Sequence, residues 1–154
     1  PTAATFSDGA TTLLPIAPVK QPATDDERDR NRESIRTAWR LHFTHVWSAL
    51  ANGIPQGGDL HPAQFVPRFA AVLAFHRHAF DAAAHRLARF LDALARATEA
   101  GGAFDDAATA QGLLVATLDA VDAGAVPAAE LERVTGRTID RLRSRDFGAL
   151  VRAG

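Results

Sequence analysis

The stretch between Pro62 and Ala100 shows the strongest pattern of apolar and polar positions in the chain. Apolar residues recur at helical spacing and would share one side of a helix: Phe69, Leu73, Phe80, Ala84, Leu87, Leu91 and Leu94. Charged and polar residues recur on the other side: His78, Asp81, His85, Arg89, Asp92, Arg96 and Glu99. Steps of three and four residues are typical of an amphipathic helix and not of a strand. The pattern therefore predicts one long helix over 62–100.

The beginning of this helix contains two prolines. Pro62 suits the first helical position, whereas Pro67 comes too late for a first turn. We therefore expect a short turn at 62–66 and the main helix from about residue 67. Gly101-Gly102 predicts its end.

Three further helices are predicted. Thr24, followed three residues later by Glu27, has the sequence of a capping box and begins a helix over 24–52. The apolar spacing beyond residue 102 predicts helices over 105–123 and 127–147. The expected fold is all-α, an antiparallel bundle of about four helices.

Residues 1–23 differ from the rest of the chain, because their prolines and small residues prevent a long helix. We expect an extended tail, followed by a single domain over 24–154. Leu13, Leu14 and Ile16 make the tail apolar. Such a tail packs along a groove of its own domain, docks on another subunit, or stays loose, and the sequence leaves these alternatives open.

The composition narrows the class of protein. The chain has 154 residues, 47% of them hydrophobic, and a net charge of −1, as expected for a globular domain without bulk attraction to nucleic acid or anionic membranes. It contains no cysteine, which excludes disulfides and thiolate metal sites. Lys20 is the only lysine among many arginines, a bias that suggests a GC-rich bacterial genome. No apolar run could span a membrane and no signal peptide is evident, so we expect a cytoplasmic protein.

Motifs for catalysis or cofactor binding are not found. No serine lies in a G-x-S-x-G sequence, and neither the glycine-rich phosphate-binding motifs nor H-E-x-x-H occurs. We therefore expect a protein that is not an enzyme and binds no cofactor.

Two histidines are candidates for a different chemistry. His42 lies beside Trp39 and Phe43, and His76 lies between Leu73 and Phe80 on the apolar stripe. Histidines on the inner faces of two helices would bind haem or a metal, or they would be neutral imidazoles with hydrogen-bonding partners in the core. The second interpretation is the more common one.

Arginine recurs every four residues in the last predicted helix, at Arg133, Arg137, Arg141 and Arg145. Four guanidinium groups on one face would bind phosphate or carboxylate groups. Residues 128–147 also resemble the helix-turn-helix of DNA-binding proteins, with Thr135-Gly136 as the turn. The turn is shorter than in that motif, and the residue after Gly136 is arginine rather than apolar.

The sequence thus predicts a module for protein–protein interaction, either an adaptor, an assembly subunit or an accessory protein that also self-associates. The predicted partner-binding residues are the apolar residues of the tail and the two tryptophans: Leu13, Leu14, Ile16, Trp39 and Trp47. A DNA-binding regulator that uses the arginines of 127–147, and a haem or metal binder that uses His42 and His76, are the alternatives.

Overall fold

The computed structural model describes residues 7–54, 57–99 and 107–151. Within these ranges the chain is all-α and contains no β-strand, which confirms the predicted fold class. The predicted helix end at 101–102 lies outside the described residues. The helices are α1 (Asp25–Ala51), α2 (Phe65–Glu99), α3 (Ala107–Asp122), α4 (Ala128–Thr135), α5 (Ile139–Ser144) and α6 (Phe147–Val151).

Helices α1 and α2 begin as their sequences indicate. The Thr24 hydroxyl accepts a hydrogen bond from the Glu27 N–H at 3.2 Å, and the Glu27 carboxylate accepts one from the Thr24 N–H at 3.1 Å. The backbone N–H groups of Thr24 and Ala23, which both donate to this carboxylate, lower the pKa of Glu27. A 3-10 turn at Pro62–Gln64 precedes α2, which then runs from Phe65 without a break at Pro67.

The described residues form two compact units, one within Pro1–Phe75 and the other within His76–Gly154. The boundary lies inside α2, although the apolar stripe of this helix continues through it. The sequence pattern gives no sign of this boundary.

The second unit has a conventional hydrophobic core. Phe80, Leu87 and Leu91 from α2 are at most 1% exposed. They belong to one cluster with Leu114 and Leu118 of α3 and with residues of the last three helices: Leu131, Leu142 and Leu150. In this unit the predicted apolar stripe of α2 is therefore the buried side of the helix, and the helices pack in a bundle-like manner.

The predicted fourth helix over 127–147 is instead three short helices. Gly136 has φ +65° and ends α4, and Arg145 has φ +55° and ends α5. Both are left-handed conformations that close a helix. The helical spacing of the arginines is therefore interrupted. The sequence predicted one helix because the apolar spacing of Leu131, Val134 and Leu142 continues through Gly136, where the backbone ends α4.

In the first unit, the described part of the tail packs along α1. The Asn31 side chain makes two hydrogen bonds with the backbone of Val19. Its Oδ1 accepts from the Val19 N–H at 2.9 Å, and its Nδ2 donates to the Val19 carbonyl at 2.8 Å. Further along, the Thr11 hydroxyl lies 3.0 Å from Nδ1 of His45, and Gln64 Nε2 donates to the Thr11 carbonyl at 2.8 Å. Of the alternatives left open above, the structure shows a tail bound to its own unit.

Candidate functional site

The first unit places large apolar side chains on its surface. On the first turns of α2, Phe65 is 49% exposed, Val66 58%, Phe69 61% and Leu73 39%. Phe65, Phe69 and Leu73 follow one another at intervals of four residues, so they form one ridge along the helix. Phe69 and Leu73 belong to the stripe that the sequence predicts to face a core. In the structure this half of the stripe faces solvent.

A shallow apolar groove runs beside this ridge. Trp39 and Phe43 of α1 line it together with Val66, Pro67 and Ala70 of α2, and its volume is about 310 Å³. The Trp39 indole N–H donates to the Ala63 carbonyl at 3.1 Å, which fixes the ring at the surface.

A second depression of about 360 Å³ continues the groove beside Phe43 and Trp47. Trp47 stacks with Phe43 at 5.9 Å between ring centroids and meets the Phe75 ring edge-on at 5.4 Å. Both tryptophans predicted to contact a partner therefore lie at this surface. We call the exposed side of the unit formed by Trp39, Phe43, Phe65, Val66, Phe69 and Leu73 the apolar face.

The interior of the first unit differs from its surface in the size and polarity of its side chains. Among its described residues, the fully buried apolar ones are small or are prolines: Ala38, Val46, Ala49, Ala71, Pro15 and Pro67. Four polar side chains are buried with them, at most 8% exposed: Thr11, Asn31, His42 and Gln64. Several of the large apolar side chains of this unit are therefore left at its surface. Exposed apolar patches of this kind mark interaction sites in soluble proteins.

The tail adds apolar side chains to the surface. Thr11 and Pro15 are buried against the unit, whereas Leu13 and Ile16 are 43% and 49% exposed and Leu14 is half-buried. The tail is thus bound to its own unit, and two of its three predicted partner-binding residues are exposed.

A buried polar cluster links α1, the segment before α2, and α2 itself. Asp59 is the centre: its Oδ2 accepts from Arg68 Nε at 2.6 Å, and its Oδ1 lies 2.9 Å from His42 Nε2. Arg68 also donates to the Gly57 carbonyl at 2.8 Å. The His42–Asp59 contact is close but not aligned as a hydrogen bond, so both ring nitrogens of the fully buried His42 have no hydrogen-bonding partner among the described residues.

Burial lowers the pKa of His42, and the nearby Asp59 carboxylate opposes this effect only in part. The positive charge of Arg68 and the neighbouring His45 also lower the pKa. We therefore assign His42 as a neutral imidazole at pH 7. His42 is thus a core residue, but it lacks the hydrogen-bonding partner that the second interpretation of the sequence expects.

The stability of the protein should consequently fall in mild acid. The unfolded chain has a His42 pKa of about 6.5, so below this pH it binds a proton that the folded chain does not. The contribution of His42 to the free energy of unfolding should be constant above pH 7. It should decrease as the pH falls through 6.5, with a slope of at most about 1.4 kcal/mol per pH unit. Urea denaturation between pH 7.5 and 5.5, followed by tryptophan fluorescence, measures it. The His42→Gln variant should show a flatter dependence, and an equal slope in both proteins would contradict the assignment.

The two residues predicted to bind haem or a metal belong to different units. His42 lies in the first unit, where its Nε2 faces Asp59, and His76 is the half-buried first residue of the second unit. Among the residues described, no three histidine, aspartate or glutamate side chains group together as metal ligands would.

The four predicted anion-binding arginines do not share one helix face, because Gly136 and Arg145 interrupt the helix. Arg137 donates to the Leu150 carbonyl at 2.6 Å and to the Gly136 carbonyl at 3.1 Å, so it connects α6 to the end of α4. Arg133, Arg141 and Arg145 are exposed, and the neighbouring Arg143 pairs with Asp122. The turn that the helix-turn-helix resemblance predicts at Thr135-Gly136 coincides with the end of α4, and α5 begins three residues later at Ile139.

Sequence reasoning missed the residues of the polar cluster other than His42. Asp59 and Arg68 lie in a segment that the pattern assigns to a loop and a helix start. The one signal was that Arg68 interrupts an otherwise apolar stretch.

No part of the described chain forms a helix that could span a membrane.

Comparison with known proteins identifies a family but no activity. Residues 1–150 match a family model described as a domain of unknown function, DUF6986. No curated protein and no solved structure matches the chain.

Proposed function

The chain belongs to the DUF6986 family, and we propose that it is a non-enzymatic protein-binding module whose apolar face is covered by a partner protein. One observation supports this most: in the first unit, aromatic side chains are up to 61% exposed while four polar side chains are buried. A unit of this composition gains stability when another apolar surface removes those side chains from water.

The chemistry of the face favours protein over nucleic acid. Arg68 is the only Asp, Glu, Lys or Arg between Pro62 and Phe75, and it turns inward to Asp59. Arg40, at the edge of the groove, pairs with Glu33 at 3.4 Å. Binding to phosphate groups depends on exposed cations. The face offers instead the aromatic side chains that are enriched at protein interfaces.

The tail extends the proposed binding surface. Because Thr11 and Val19 anchor it to the unit, the exposed Leu13 and Ile16 are held in place before any partner arrives. Such preorganisation reduces the entropy lost on binding. We further propose a bacterial, cytoplasmic setting for this module, on the basis of its composition, which is rich in arginine and contains no cysteine.

Photo-crosslinking in the native host tests the proposal. Replacing Phe69 with p-benzoylphenylalanine should give covalent adducts with a protein after irradiation, because the ring would lie inside the interface. The same amino acid at Ala82, which is exposed on the same helix beyond the apolar face, is the matched control. Adducts that form equally at both positions, or at neither, would contradict the proposal.

A further inference from the structure

We infer that the partner of the apolar face is a second copy of this chain, bound through the same face. This inference rests on the proposed function and names the partner. It follows from three properties of the face: its shape, its charge and its area.

The shape of the face is self-complementary. The ridge of Phe65, Phe69 and Leu73 lies on one side of α2, and the groove lined by Val66, Pro67 and Ala70 lies on the adjacent side of the same helix. A two-fold axis that brings two such helices together places the ridge of each copy in the groove of the other. An isologous pairing of this type is the commonest interface of soluble homo-oligomers. An apolar helix ridge that lies in an apolar groove is also a recurrent mode of recognition.

The charge of the face permits such a pairing. In an isologous pairing a surface meets a copy of itself, so a face that carries charge of a single sign opposes the formation of a dimer. Here the inward-facing Arg68 and the Arg40–Glu33 pair leave no uncompensated charge among the groove and ridge residues. A second copy can therefore approach without repulsion.

The area is sufficient for a weak dimer. Aromatic side chains bury about 150–250 Å² each, and aliphatic ones somewhat less. The exposed fractions of Trp39, Phe65, Val66, Phe69 and Leu73 therefore correspond to roughly 500 Å². Two copies would together bury about 1,000 Å², which is the lower limit for a specific interface. We therefore expect a dimer that dissociates on dilution, not a permanent one.

Sedimentation velocity of the purified chain, from about 1 to about 300 µM, tests the inference. We expect the mass to rise with concentration from 16.4 kDa toward twice that value. Phe69→Glu should raise the dissociation constant at least about tenfold, because it buries a charge at the centre of the interface. Ala82→Glu adds the same charge to an exposed site on the same helix and should leave the constant unchanged. Circular dichroism verifies that both variants are folded.

A second readout uses the absence of cysteine from the chain. Phe69→Cys introduces the only thiol at the centre of the proposed interface, where a residue meets its own copy, and mild oxidation should give disulfide-linked dimers far faster than with Ala82→Cys. A monomer at every concentration, or a dimer that neither Phe69→Glu nor oxidation at position 69 detects, would overturn the inference. In that case, crosslinking of position 69 to a different protein would still support the proposed function. If neither a dimer nor a crosslinked protein is found, both the inference and the proposed function are wrong.

Discussion

Replacing Asp59 with alanine should lower the free energy of unfolding of the first unit by about 3 kcal/mol. Removing one partner of a buried ion pair leaves the other charge buried without compensation, which typically costs about 3–5 kcal/mol. Arg68 would lose its 2.6 Å contact, and its side chain, 22% exposed, is only partly able to reach water. This partial exposure places the expected effect at the lower end of the range.

Both tryptophans of the chain, Trp39 and Trp47, lie in the first unit, so their fluorescence in urea reports on this unit. Asp29→Ala is the matched control, since Asp29 pairs with Arg32 on the exposed surface of α1. Exposed pairs contribute at most about 1 kcal/mol. A loss at Asp59 no larger than that at Asp29 would show that the cluster is not important for stability.

The fold class and most helix positions were predictable because they depend on local rules. The capping box at Thr24 and Glu27 determines the beginning of α1 whatever the rest of the chain does. The apolar spacing of α2 likewise needs only the period of the helix. The break of the last predicted helix at Gly136 was not predicted, because a glycine within a helical pattern is tolerated inside some helices and ends others.

The candidate site was predictable only in part. The sequence identified Trp39 and Trp47 as surface candidates, and both line the apolar depressions. It could not identify the His42–Asp59–Arg68 cluster, whose members are 17 and 9 positions apart (59 − 42 and 68 − 59). Contacts at such separations depend on how the segment before α2 folds back, which periodicity does not describe.

The apolar stripe of α2 shows a further limit. Periodicity identifies which side of a helix is apolar, but it does not say whether the chain supplies anything to cover that side. Phe69 and Phe80 belong to the same stripe, but Phe69 is 61% exposed and Phe80 is 1% exposed. The difference arises from α3 to α6, whose leucines pack around Phe80. What covers Phe69 is the question that the proposed function answers.

Phe80→Ala should therefore lower the free energy of unfolding of the second unit by about 3–5 kcal/mol, the usual effect of deleting a buried phenylalanine. Its ring is 1% exposed within the leucine cluster, and the Arg77 guanidinium lies 5.5 Å from its centroid. Urea denaturation followed by circular dichroism measures the loss.

Phe69→Ala is an unusually well-matched control, since it makes the same substitution on the same helix and in the same stripe. Both variants change helix propensity equally, so the difference between them isolates burial. At a protein concentration too low for self-association, Phe69→Ala should change the free energy of unfolding by no more than about 0.5 kcal/mol, as surface substitutions do. A loss as large as that of Phe80→Ala would mean that the chain itself already covers Phe69, and the apolar face would then be part of a core and not a place for a partner to bind.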